Sequence, residues 1–334
     1  MTFQKLSVVV VGGSGETGRS IMAALLALPD QFTVTALARP SSVSNSVFQD
    51  FAKLGAIVKP ADAQDKDALV PVLTGADVVI SCIQLYHAAT QNPLIEAAHE
   101  AGVKRFVPSF WATACPPGGV MQLRDAKEAS LNTIKALYLP YTVIDVGWWL
   151  QISIPLVPSG KLDSVVTAPA REIVGDGSAR TAVTDQVDIG RFVARIIADP
   201  RTLNKQVFAY GQVTSQNDIF AAVERHTGET IPRTYLTAEQ AEEIIGKAAE
   251  AIAANPEDIS QVITRAVTEY KVSCGIRGDN EPGRARYLGY LDARELYPDL
   301  KTKSVDEFVK ELVEGSRTAT VYARKAAAAA QKQS

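Results

Sequence analysis

Apolar residues near the start of the chain come in short unbroken runs, separated by stretches where they recur every third or fourth position. Val8-Val9-Val10-Val11 is the first run, and an amphipathic stretch from Arg19 to Leu28 follows it. A second short strand ends in Leu37-Ala38-Arg39-Pro40, and Val47 to Leu54 has helical spacing. Further on, strands are predicted at Ala56–Lys59, Asp77–Cys82, Arg105–Pro108 and Tyr141–Asp145. Helices are predicted from Pro93 to about Ala101, closed by Gly102, and over about Val120 to Tyr138. Proline just inside a helix and glycine just past it are the expected punctuation. Continuous apolar strands alternating with helices predict an α/β fold built on a parallel, doubly wound sheet. In such a sheet the ligand crevice lies beyond the carboxyl ends of the strands.

From Gly147 onward the rhythm breaks. A shorter strand at Gln206–Tyr210 mixes with helices at Val187–Ile197, Ser215–His226 and Ala238–Ala253, and another near Asp258–Tyr270. A Gly/Asp/Asn/Pro-rich loop covers Gly278–Gly283. The expected organisation is a nucleotide-binding domain over residues 1–150, to which some later segments return. A smaller α/β substrate lobe over 151–325 closes on the crevice, and 326–334 forms a low-complexity, fraying tail.

Between the first strand and the first helix stands Gly12-Gly13-Ser14-Gly15-Glu16-Thr17-Gly18. A strand that turns on glycines into a helix presents unpaired N–H groups and a positive dipole end to an anion. Gly12, Gly15 and Gly18, three apart, suit a tight turn, close approach to a pyrophosphate and close helix–strand packing. The residue ending the second strand reads the adenosine ribose: a carboxylate would favour a free 2′-hydroxyl, whereas Arg39 favours a 2′-phosphate. The loop therefore predicts a Rossmann-type fold and NADP(H) as cofactor, with a plain turn and a solvated Arg39 as the alternative.

Composition narrows the rest. The chain has 334 residues, 46% hydrophobic and 21% charged, with a net charge of −3, so no basic field is available to hold a nucleic acid. No apolar run approaches membrane-spanning length, and the chain runs straight into its first strand, which predicts no cleavable leader. Cys82, Cys115 and Cys274 are odd in number and scattered, which fits a reducing, cytoplasmic compartment. His87, His99 and His226 share no ligand spacing, so no metal site is expected.

The long helix carries the candidate chemistry. At 3.6 residues per turn, Leu123, Lys127, Leu131, Ile134 and Tyr138 form one stripe, with Arg124, Asp125, Glu128, Asn132 and Lys135 on the other side. Lys127 thus sits on the face that packs on the sheet, where a free ammonium is costly. Desolvation there would lower its pKa and make it a proton shuttle near neutrality; the alternative is an amine that snorkels to solvent. All three tryptophans follow strand ends: Trp111, with Phe110 beside it, then Trp148 and Trp149. They place flat apolar surface where a nicotinamide and a planar substrate would meet, or else pack between the two lobes. Ser109 directly follows its strand, as a cofactor or substrate contact or as a cap. Ile83 joins the cofactor side, and Tyr86 and His87 follow the fourth strand near the crevice. The residue four before Lys127 is Leu123, so the Tyr-x-x-x-Lys pair of ordinary short-chain dehydrogenases is absent.

These motifs resemble the isoflavone reductase-like, NmrA-related atypical short-chain reductases, relatives of phenylcoumaran benzylic ether and pinoresinol–lariciresinol reductases. The likeness runs nearly end to end. It takes in Gly12 to Gly18 with Arg39, Val103-Lys104-Arg105-Phe106-Val107-Pro108-Ser109, Lys127 and Leu139-Pro140-Tyr141-Thr142. Gly175-Asp176-Gly177, Asp188-Ile189-Gly190, Asp199–Lys205, Glu295–Asp299 and Val305-Asp306-Glu307 are similar too. The resemblance implies an NADPH-dependent reductase in which hydride goes to an electrophilic carbon and Lys127 is the general acid or base. It also implies cofactor contacts at Gly12, Ser14, Gly15, Glu16, Thr17, Gly18, Arg39, Ile83, Ser109 and Lys127, and substrate contacts at Phe110, Trp111, Trp148 and Trp149. The substrate would be a small aromatic or polyketide-like secondary metabolite: an enone, a quinone methide from ether opening, or an imine. Two further readings stay open, an NADP-binding redox sensor without turnover and a non-redox cyclase or dehydratase. So does a homodimer. The chain departs from the plant pattern Pro-Ser-Glu-Phe-Gly with Pro108-Ser109-Phe110-Trp111-Ala112, and from Asn-Cys-Phe with Gly147-Trp148-Trp149. Ser41 and Ser42 stand where a second phosphate-binding lysine often does. The two pocket changes point away from plant substrates and to a secondary-metabolite reductase of other origin, whereas the missing lysine bears on the preference for NADP.

Overall fold

A computed structural model of the chain describes residues 5–83 and 88–317. Its first half alternates strand and helix: β1 (Leu6–Val11), α1 (Glu16–Leu26), β2 (Phe32–Ala38), α2 (Ser46–Lys53), β3 (Ile57–Pro60), α3 (Lys66–Leu73), β4 (Val78–Ser81), α4 (Asn92–Glu100), β5 (Arg105–Val107), α5 (Gln122–Ala136) and β6 (Thr142–Asp145). Strands run parallel in the order β3-β2-β1-β4-β5, and a parallel bridge from Phe106 to Tyr141 carries the sheet on to β6. The valine run of β1 is apolar throughout because both faces are covered. Val8 and Val10 enter one core and Val9 and Val11 the other, as alternate side chains of a strand must.

The second half adds β7 (Trp148–Trp149), β8 (Ile173–Val174), β9 (Thr181–Thr184), α6 (Gln186–Ala198), β10 (Lys205–Phe208), β11 (Gln212–Thr214), α7 (Gln216–Thr227) and β12 (Tyr235–Leu236). It ends with α8 (Ala238–Ala254), α9 (Ile259–Lys271), α10 (Pro282–Tyr287), β13 (Leu291–Asp292), α11 (Ala293–Leu296) and α12 (Val305–Val313). Helices α7, α8 and α12 each start on a reciprocal capping box, Ser215 with Asp218, Thr237 with Gln240 and Ser304 with Glu307. β10 pairs with β6 and β13 with β10, all parallel, so the chain returns to the first sheet. Helix α6 returns as well: its Gly190 N–H donates to Ser20 Oγ on α1 at 3.0 Å. A separate apolar core gathers Leu150, Ile154, Ile219, Phe220 and Phe308.

The structure corrects the expected faces of the long helix. Tyr138 is 92% exposed, because α5 ends at Ala136 and Tyr138 lies in the left-handed turn after it, at φ 53°. Arg124, expected on the polar side, is 1% exposed. Its guanidinium is drawn under the helix by a carboxylate on β6, a contact helical phase does not encode. No helix of the described residues is long and apolar enough to cross a membrane. The tail at 326–334 lies outside the described residues.

Candidate active site

Strand order reverses at β1, whose neighbours are β2 on one side and β4 on the other. The loops leaving β1 and β4 therefore diverge around a crevice, the switch point where open α/β sheets bind ligands. Gly12 leaves β1 at φ +81°, and a Cβ on it would lie 2.6 Å from the Cys82 carbonyl oxygen. A Cβ on Gly18 would lie 2.3 Å from the carbonyl oxygen of Gly12. Only glycine lets the strand end, the turn and α1 close up this far. Gly15 N–H donates to Gly12 O at 3.1 Å, and Ser14 O accepts from Arg19 Nε at 2.9 Å, which holds the turn in shape. Gly15 caps α1 with no side chain of its own, so the helix start faces the crevice with backbone alone. Arg39 follows the buried Ala38 at the carboxyl end of β2 and is exposed on the same edge. A helix N-terminus for a pyrophosphate and a guanidinium at the next strand end fit a dinucleotide phosphate.

From this cradle a cavity of about 1070 Å³ runs past Ile83 and Ser109 to Lys127, Trp148 and Trp149. It brings Gly15, Glu16, Thr17, Gly18, Ile83, Ser109, Phe110, Trp111, Lys127, Trp148 and Trp149 to one space. Arg39, Gly12 and Ser14 are not among its walls. Tyr86 and His87 lie outside the described residues.

Lys127 does not snorkel. It is 6% exposed, and its Nζ donates to the carbonyl of Ser109 at 2.9 Å and to that of Phe110, with the Phe110 ring 5.7 Å away. Burial pulls its pKa from the usual lysine range down to about 7, against the pull of Asp145, and Arg124 lowers it further. The group is thus divided between amine and ammonium near neutral pH, as a proton shuttle requires.

Beneath it lies a buried polar network that the sequence pattern did not reveal. Asp145 Oδ2 accepts from Arg124 Nη2 at 2.7 Å and from the Tyr290 hydroxyl at 2.6 Å, and Arg124 Nη2 also donates to Thr113 O at 2.6 Å. Burial opposes charge on Arg124, and Asp145 with Tyr290 more than reverses this, so the guanidinium stays charged. A signal existed: an aspartate ending the apolar strand Thr-Val-Ile-Asp needs a buried partner.

The aromatic groups divide. Phe110 packs with Leu131 and Val143, and Trp111 belongs to the main core, its Nε1–H donating to Ser81 O at 2.8 Å. Trp148 and Trp149 are half-buried, and Trp148 meets Tyr270 of α9 edge to face at 5.7 Å. The opposite wall, unforeseen from the sequence, is the apolar stripe of α9, where Ile263 and Val267 remain 47% and 43% exposed. Glu269 of the same helix accepts from Gln122 N–H at the start of α5 at 2.8 Å, capping a helix whose own Met121 supplies no side-chain cap.

Comparison with known proteins shows the family and its fold. The family model of the NmrA-like family matches residues 4–309. Asnovolin J 5′,6′-dehydrogenase of Aspergillus novofumigatus is 38% identical over 320 residues, covering 95% of this chain and 98% of that protein. The crystal structure of isoflavone reductase is 25% identical with a TM-score of 0.74, over 92% of this chain and 99% of that one. The complex of AtPrR2 with NADP+ and (+)pinoresinol is 27% identical with a TM-score of 0.73, at the same coverage.

Proposed function

This chain belongs to the NmrA-like family, and from that premise we propose that it is an NADPH-dependent reductase of a small conjugated or aromatic secondary metabolite, with Lys127 as its general acid or base. NADPH, when bound, supplies the hydride. The glycine turn and the start of α1 would hold its pyrophosphate, and Arg39 would hold the 2′-phosphate. Ile83 and Ser109 would contact the cofactor in the same space, with residues 1–150 and the later segments that return to their sheet as the cofactor domain, and the rest of 151–325 as the substrate lobe. Trp148, Trp149 and the α9 stripe exclude water and orient the substrate, so that alignment lowers much of the barrier. Lys127 would give its proton to the substrate atom that takes up negative charge during the reduction. The observation that carries this reading is the buried amine of Lys127 in a cavity continuous with the glycine turn.

The two carbonyls on Nζ fit either direction of transfer. An amine donates both its hydrogens to Ser109 O and Phe110 O and keeps its lone pair free, whereas an ammonium has a third hydrogen to give. The similarity to a dehydrogenase supports the reverse reaction, with Lys127 as base, as a second reading.

The test is to mix purified protein with NADPH and a panel of aromatic enones, imines and benzylic ethers, following the reduced-nicotinamide absorbance. Consumption is expected for at least one class. Tight NADP binding without turnover across the panel, in either direction, would favour a sensor instead. In the same assay Arg39→Ala should weaken NADPH by about 1.5–3 kcal/mol, the loss of a charged hydrogen bond, and leave NADH nearly unchanged. Equal weakening of both would show that Arg39 does not read the phosphate.

A further inference from the structure

Lys127 Nζ meets two carbonyls from consecutive residues, Ser109 and Phe110. Along an extended strand successive carbonyls point in opposite directions, so one amine cannot meet both. The chain must turn as it leaves β5, and it does. Phe110 N–H donates to Pro108 O at 2.8 Å, and Trp111 follows at φ 39°, a left-handed backbone that a bulky residue rarely takes. Such a turn persists only if its surroundings hold it. Ser109 Oγ donates to Ile83 O and Trp111 Nε1–H to Ser81 O, each at 2.8 Å. Trp111 N–H donates to Ile144 O on β6 at 3.2 Å, and a side chain from another element makes a further tie: Gln91 Oε1, just before α4, accepts from Ser109 N–H at 3.0 Å.

We infer that Gln91 is a positioning residue for Lys127, fixing through Ser109 the turn that presents both carbonyls to the amine. Gln91 is fully buried, and its Nε2 has no partner among the described residues. A half-satisfied buried amide is costly, and an aliphatic side chain of that size would pack there without the cost. What glutamine supplies, and an aliphatic residue lacks, is the acceptor for Ser109 N–H. Carbonyl acceptors favour the charged form of an amine, so loosening the turn shifts Lys127 toward the neutral form. The other charges acting on Lys127 are Asp145, at the end of β6, and Arg124, one turn back on α5, and neither touches Gln91.

The consequence for catalysis rests on Lys127 handling the proton, but the test does not. It follows the ¹³Cε resonance of Lys127 against pH in the full-length protein labelled with [ε-¹³C]lysine, assigned by its disappearance in Lys127→Met. Gln91→Met keeps the volume and removes the acceptor; Gln91→Asn keeps an amide too short to reach Ser109 and replaces it if the first variant does not fold. The expected result is a midpoint about one pH unit lower than in the parent, a tenfold change in the ammonium-to-amine ratio at fixed pH. Gln91→Glu, which retains the acceptor, should leave the midpoint at or above the parent's. A folded Gln91→Met or Gln91→Asn protein whose midpoint is unchanged or raised overturns the inference. Should Lys127→Met keep full turnover, the proposed function would fail while this titration still stands.

Discussion

Lys127→Met is expected to cut turnover about 10²–10⁴-fold while nearly preserving NADPH affinity, since a general acid or base contributes about that much. Full activity in the variant would remove Lys127 from the mechanism. The pH profile gives a second check. With the pKa near 7, substrate reduction needs the ammonium, so its rate should fall as pH rises through about 7. The dehydrogenation direction needs the amine, and its rate should rise over the same range. Stability carries the same signature with a definite sign. Between about 7 and the ordinary lysine value of 10.5 the unfolded chain binds a proton that the folded chain does not. Unfolding free energy therefore rises with pH across that window and is flat in this contribution below it. Denaturant titrations of Lys127→Met should lack that rise. An unchanged slope in the variant would mean that the amine is not desolvated as the structure shows.

Asp145→Ala should cost about 3–5 kcal/mol of stability, because it takes from the Arg124 guanidinium its buried anion and leaves only the partly exposed Glu128, 3.5 Å from Nη1. The Arg124 and Asp145 side chains are both 0% exposed, so water cannot take over the missing partner without opening the core. The double variant Asp145→Leu with Arg124→Met should recover most of the loss, since a packed apolar pair often replaces a buried ion pair at little cost. Urea denaturation of the single and double variants reads both effects. A loss below about 1 kcal/mol for Asp145→Ala, the usual worth of an exposed pair, would show that the pair is not buried in solution. Asp145 also supports the ammonium form of Lys127, so removing it should lower the Lys127 midpoint and shift the activity profile the same way.

Much of the fold was legible because its signals are local. A valine run covered on both faces, glycines at a strand–helix turn, and Pro93 and Gly102 at the two ends of a helix each encode their own geometry. Lys127 was legible for the same reason, since helical phase placed it between Leu123 and Leu131 on the packed face. The same phase misplaced Arg124 and Tyr138. One is drawn inward by a strand twenty-one residues on, and the other lies past the end of the helix.

By itself, then, the sequence determined the doubly wound sheet, the glycine cradle with Arg39 at the next strand end, and a lysine on an apolar helix face. Each depends on residues a few positions apart, whose relation follows from backbone geometry. Only the tertiary structure decided what surrounds that lysine. The two carbonyls on its amine, Gln91 behind them, the Arg124–Asp145–Tyr290 network and the α9 wall come from separate elements. Their meeting depends on how sheet and helices pack, and packing brings together residues that no spacing along the chain relates.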